Sequence, residues 1–259
     1  MLLGVLLVLF IGLPILALFT NLPWSQVWPV LGNPQTQDAI KTSLVSATLA
    51  TTLVTVLGVP LGYVLAHYRF PGRALVTGLI YLPLVLPPVV GGILLLLVWG
   101  QTGSVEQFLA PHNVVFVNQL SGIVLCQMFV SAPFVVILAR HAFERIDPDL
   151  DEAARTMGAD SLRVFWSIAL PLSMRAILAG VALSWMRALG EFGATVIVAY
   201  HPFSLPVFLY EQFGSVGYTP ILPLALVAVI LGAIAVIAAA LLERVDVITA
   251  AVSAWSERR

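Results

Sequence analysis

Charge is what this 259-residue chain has least of. Asp, Glu, Lys and Arg make up 10% of it, against 60% hydrophobic residues, where a soluble domain carries about 25% charged residues. So dilute a charge content excludes an ordinary soluble protein and points to several membrane crossings. The net charge of −1 says nothing about partners and gives no basic stripe for nucleic acid. Cysteine is almost absent. Cys126 alone excludes an intrachain disulfide or a cysteine-rich metal site and reads as a small buried hydrophobe. There is no Gly-x4-Gly-Lys-Ser/Thr phosphate loop and no Gly-x-Ser-x-Gly nucleophile turn. His67, His112, His141 and His201 are scattered near membrane boundaries, with no His-Glu-x-x-His pair. Catalysis, metal and cofactor binding by this chain are therefore not expected.

What is present is a series of apolar runs: Leu2–Phe19, Thr42–Ala66, Ala74–Trp99, Gly122–Leu138, Met174–Tyr200 and Ile221–Leu242. Each approaches the roughly 20 residues that a bilayer core requires. The first has no basic leader and no clear cleavage site before Asn21, so it reads as a retained helix. Lysine and arginine are missing from 20–37, 100–119 and 201–220. They collect at Arg69 and Arg73, at Arg140, Arg145, Arg155, Arg163 and Arg175, and at Arg244, Arg258 and Arg259. Only Lys41 and Arg187 fall outside that pattern. The positive-inside rule then places the basic loops and both termini in the cytoplasm. The expected fold is all-α: one transmembrane domain over 1–259 with about six crossings and a cytoplasmic loop at 140–173. Pro71-Gly72 predicts a tight turn and a close hairpin of the second and third segments. Pro83, Pro87 and Pro88 interrupt the third, either as a packing kink or as a lining of the translocation path. Trp24 and Trp28 suit interfacial anchors in outer loops too short to select a solute.

The loop at 140–173 has its own order. Asp147 or Asp149 can cap a short helix with Pro148 in its first turn, and Asp149, Asp151 and Glu152 suit its positive end. Gly158 supplies a left-handed stop. A second helix starts at Asp160 or Ser161, with Val164, Phe165, Ile168 and Ala169 as an apolar face for the membrane surface. Pro171 marks the turn into the fifth segment. A loop needed only for solubility has no use for that order; a docking lever does.

These residues resemble a family signature. Glu152, Ala153, Ala154, Gly158, Ile168, Leu170 and Pro171 match Glu-Ala-Ala, three residues, Gly, nine residues, Ile-x-Leu-Pro, the mark of permease subunits of bacterial and archaeal ABC importers. The resemblance implies a type I importer permease, with 148–159, including Asp151 and Met157, as its ATPase-coupling helix. In the fifth segment, Arg187 and Glu191 lie four residues apart and can pair. Gly190 and Gly193 offer a close-packing face, and Thr195 follows. Gly190-Glu191-Phe192-Gly193-Ala194-Thr195 resembles molybdate, tungstate and sulfate permeases, and Val198 to Pro202 looks closest to archaeal-type molybdate/tungstate ones. The missing Gly-Asn after Ala199 leaves the oxyanion open.

The resemblance further implies a second copy of this chain, two ATP-binding cassette subunits carrying the ATP and Mg, and an extracytoplasmic oxyanion-binding protein. Sulfate is the nearest alternative cargo. A self-sufficient secondary transporter would want an ion relay, for which the fifth segment offers only Arg187 and Glu191.

Overall fold

The computed structural model describes residues 2–112 and 114–237, and every regular element among them is helical. Helix α1 (Leu2–Asn21) leads to α2 (Trp24–Gly32), α3 (Pro34–His67), α4 (Arg73–Val85), α5 (Pro88–Trp99) and α6 (Ser104–Leu109). After a 3-10 turn come α7 (Leu120–Phe143), α8 (Pro148–Thr156), α9 (Ser161–Val164), α10 (Leu170–Leu189), α11 (Thr195–Val198) and α12 (Leu205–Val216). Helix α13 (Leu222–Ile237) follows. Arg244, Arg258, Arg259 and the end of the sixth apolar run lie outside the described residues.

Helix α7 is the centre post, packed along α3 on one side and α10 on the other. Small residues let it close on α3: a Cβ at Gly62 would sit 3.0 Å from both Ala139 Cβ and Arg140 N. Tyr63 then meets Phe143 and Phe165 edge-on, at 5.3 and 5.0 Å between ring centroids. Around these rings Val59, Val135, Ala139, Ala169 and Ile177 complete a buried cluster. Cys126 is buried against Ala194 and Val198, as a small apolar residue would be.

Among the described residues, five segments are long and apolar enough to cross a membrane: Leu3–Asn21, Pro34–His67, Pro88–Leu109, Leu120–Phe143 and Ser161–Leu189. Arg73–Val85 and Leu222–Ile237 are shorter apolar helices. Helix α1 is exposed along almost its whole length, which suits a surface turned to lipid.

Several boundaries differ from the sequence reading. The third run is two helices, because Pro87 and Pro88 cannot donate to the preceding turn and force Leu86 into extended backbone (ψ 135). The turn at Pro71-Gly72 is present, with Gly72 left-handed and Arg73 N donating to Phe70 O at 3.2 Å. The close hairpin is not: α4 packs chiefly on α7, which already occupies the small-residue face of α3. Pro171 makes no turn either. A π-helical stretch, 165–169, joins α9 to α10, and Leu170 N reaches back to Phe165 O. That wider turn relieves the clash a proline ring makes with the helix before it. Of the expected apolar face, Val164, Phe165 and Ala169 are buried, the last two in the core cluster, and Ile168 is half-buried, so the face does not lie on the membrane surface. The connections within 20–37, 100–119 and 201–220 hold helices α2, α6 and α12 where plain loops were expected.

The fifth run also stops early. Helix α10 ends at Leu189, and the chain is irregular from Gly190 to Ala194 before α11. This break lies against the break between α4 and α5. A Cβ at Gly193 would be 2.8 Å from Pro88 Cβ, and one at Gly92 would be 2.9 Å from Ala194 O. Two interrupted helices thus cross with backbones in contact, and irregular backbone at membrane depth is tolerated where protein buries it. Gly92→Ala and Gly193→Ala are expected to lower stability by about 1–3 kcal/mol through overpacking. Gly190→Ala, whose nearest neighbour would be Met186 O at 3.7 Å, should lower it far less. Thermal unfolding in detergent measures both.

Candidate functional site

The 140–173 stretch begins where α7 ends. Asp147 Oδ1 accepts from Asp149 N at 3.1 Å, and this Asx contact starts α8 over Pro148. The helix stops at Gly158, whose φ of +86 suits a residue without a Cβ. Ala159 N donates back to Ala154 O at 3.0 Å, closing a Schellman-type end. Asp160 Oδ1 then accepts from Arg163 N at 2.8 Å and opens α9.

This folding brings the two ends of the signature together. Ala154, Met157, Ala159, Arg163, Val164 and Ile168 line one cleft of about 280 Å³. The nine residues between Gly158 and Ile168 are the spacing that returns Ile168 to the C-terminal end of α8. Leu170 packs on the core cluster, and Pro171 sits in the first turn of α10. Glu152 and Ala153 are exposed, and Met157 is 83% exposed. Asp151 lies on the same short helix. Leu150, Leu162 and Trp166 are also exposed, so apolar side chains stand out beside charged ones, as a protein-docking surface requires.

Glu144, which the sequence reading passed over, ties this region to α4. Its Oε1 lies 2.8 Å from Arg140 Nε and 3.6 Å from Arg73 Nη2, and its Oε2 lies 3.3 Å from His141 Nδ1. Arg140 Nη1 also reaches Thr77 Oγ1 on α4 at 3.5 Å. Partial burial pushes the Glu144 carboxyl up. The hydrogen bond and charge of Arg140, joined by His141, outweigh that and hold it below the usual carboxylate range.

At the helix crossing, Arg187 Nη1 and Glu191 Oε2 are 2.6 Å apart. Glu191 is past the end of α10, not inside a continuous helix. Its Oε1 accepts from Ala194 N at 2.7 Å, so the carboxylate stitches the break shut. Thr195 is buried at the start of α11. Gly193 and Pro88 meet there, whereas Pro83 is half-buried in α4, and Pro87 and Gly190 are exposed. Asn118, also missed, clamps the far end. It adopts φ 53, donates through N to Val198 O at 3.2 Å and accepts at Oδ1 from Tyr200 N at 3.0 Å. Ser43 Oγ similarly accepts from Leu205 N at 2.7 Å and anchors α12. Neither carries a motif: Ser43 sits among other hydroxyl residues and Asn118 beside Gln119.

Residues 58–246 match the family described as the binding-protein-dependent transport system inner membrane component. The chain belongs to this family. This permease is 42% identical to a probable molybdenum ABC transporter permease of Haloferax volcanii, over 87% of this chain and 82% of that one. It is 37% identical to the molybdate/tungstate transport system permease of Pyrococcus abyssi, over 87% and 86%. A sulfate transport system permease of Escherichia coli is 38% identical over 74% and 70%. Among solved structures, a bacterial ABC transporter that imports alginate superimposes with a TM-score of 0.75, at 20% identity, over 95% of this chain and 93% of that one. The methionine transporter MetNI, inward facing, gives 0.63 at 18% identity, over 80% and 94%. At those identities the likeness establishes the fold alone, that of ABC importer permeases.

Two outcomes follow for the permease. Removing one partner of a buried pair costs about 3–5 kcal/mol, so Glu191→Ala should sharply reduce thermal stability. Glu191→Gln, which keeps an acceptor for Ala194 N, should reduce it less. The depressed Glu144 carboxyl contributes stability above its unfolded value of about 4.3, and that contribution is lost as pH falls through the lowered folded value. Glu144→Gln should therefore lower the melting temperature at every pH above about 4.3 and leave it little changed at the most acid pH, which flattens the acid limb of the profile.

Proposed function

We propose that this chain is the membrane-spanning subunit of an ATP-driven importer for molybdate- or tungstate-type oxyanions. The carrying observation is the likeness to molybdenum and molybdate/tungstate permeases over 87% of the chain, joined to the built cleft behind α8. Sulfate is the second reading, favoured by the 38% identity to a sulfate permease.

On this reading the arginine-rich end is cytoplasmic and α8 is the coupling helix. Two copies of the chain form the path, two ATP-binding cassette subunits dock on the two α8 surfaces, and an extracytoplasmic binding protein delivers the anion. ATP and Mg²⁺ belong to the docked subunits. Force has a physical route. A push on the cleft reaches α10 without a joint, because Ser161–Leu189 is one helix, and α10 ends at the crossing with Pro88. A parallel route runs from the end of α7 through Glu144 and Arg73 into α4, which ends at Pro87.

Uptake of labelled molybdate should depend on this chain and persist in excess sulfate; uptake unchanged on deletion, with no second system present, contradicts the reading. A Cβ at Gly158 would meet no neighbour within 4 Å, so Gly158→Val acts chiefly through backbone strain of about 1–2 kcal/mol at the α8 stop. The expected result is a normally expressed permease that recovers less ATPase on copurification and shows less solute-stimulated hydrolysis. Charge reversal at Glu152 should do the same.

A further inference from the structure

The charged pair at the crossing is lopsided. Glu191 is 1% exposed and the Arg187 side chain 30% exposed, so the carboxylate is hidden while the arginine side chain is partly open. Glu191 is also held by Ala194 N. For Arg187, Glu191 is the one partner among the described residues, engaged through Nη1. A guanidinium carries five N–H donors in a planar fork. Most of this fork therefore has no protein acceptor. Against hydrocarbon such donors are strongly disfavoured, and intramembrane ionisable groups face a bundle interior or a water-filled cavity. Leu183 and Gly190, one turn either side, are exposed on the same face of α10. Pro87 and Pro88, at the neighbouring break, are exposed too.

We propose that Arg187 is a binding residue of the translocation path: its free N–H groups donate to a tetrahedral oxyanion as it passes the Pro88–Gly193 crossing. This rests on the importer reading above. The fork matches oxyanion geometry. Pairing with Glu191 offsets the positive charge, so the anion is held by hydrogen bonds more than by net attraction. A conducting site needs that compromise, since binding must be favourable enough to admit the anion and weak enough to release it. Glu191, repulsive to an anion if exposed, is kept beneath.

The test uses the complete transporter in proteoliposomes, with its ATPase and binding protein, and reads molybdate moved per ATP hydrolysed. Arg187→Gln/Glu191→Gln removes both charges together, so neither is left unpaired in the membrane. Binding-protein-stimulated hydrolysis should continue while anions per ATP fall at least about tenfold. A double variant with the wild-type ratio overturns the proposal, because a purely structural pair would be replaced by the two amides. If that variant does not assemble, Arg187→Lys decides. It keeps a cation above Glu191 but gives up the fork, and a wild-type ratio there overturns the proposal while a reduced ratio supports it. The wild-type complex is measured alongside. If it moves neither molybdate, tungstate nor sulfate, the importer reading itself has failed, which is a separate result.

Discussion

The two broken helices of this permease depend on one contact: Pro88 on Gly193, with Gly92 on Ala194 beside it. Each partner is a break in an otherwise hydrophobic helix. Alone, either break would leave backbone groups without partners in hydrocarbon, an expensive state. Together they close on each other because glycine permits backbone contact, and the Glu191 carboxylate takes up Ala194 N where helical bonding stops. The ion pair with Arg187 makes it possible to bury that carboxylate.

The crossing matters because both helices that reach it start at the end of the bundle bearing α8. One comes from the α8 cleft through a π turn and α10, with no hinge along 29 residues. The other starts at Arg73, held to the end of α7 by Glu144. Rigid helices transmit displacement; broken ones have two arrangements to move between. On the proposed reading, a permease moved by docked ATPase subunits needs stiffness between α8 and the crossing and irregularity at the crossing. Pro87, Pro88 and Gly190 to Gly193 supply the irregularity, and the Tyr63–Phe143–Phe165 core supports the stiff part.

Local chemistry made the docking region readable from sequence. Asp147, Gly158 and Asp160 act through neighbours a few residues away, so their spacing carries their role. The break at Pro87 was legible for the same reason. What escaped depends on partners distant in the chain. Asn118 clamps Tyr200, Ser43 anchors Leu205 and Glu144 holds Arg73, and none of these pairs leaves a periodic mark. Pro171 misled because a π turn can carry a helix past proline. In the fifth run Gly190 and Gly193 suited a packing face and Arg187 and Glu191 an i,i+4 pair on a continuous helix, so neither marked the end of α10.

The central claim is that movement at α8 reaches the crossing. Met157, beside the cleft, and Val85, at the end of α4, are 83% and 82% exposed and accept spin labels without disturbing a core. Pulsed EPR distances between the two copies of the proposed assembly, at each position, with and without bound nucleotide, are the measurement to make. The account predicts that both distances change together on nucleotide binding. A change at Met157 with none at Val85 would contradict it.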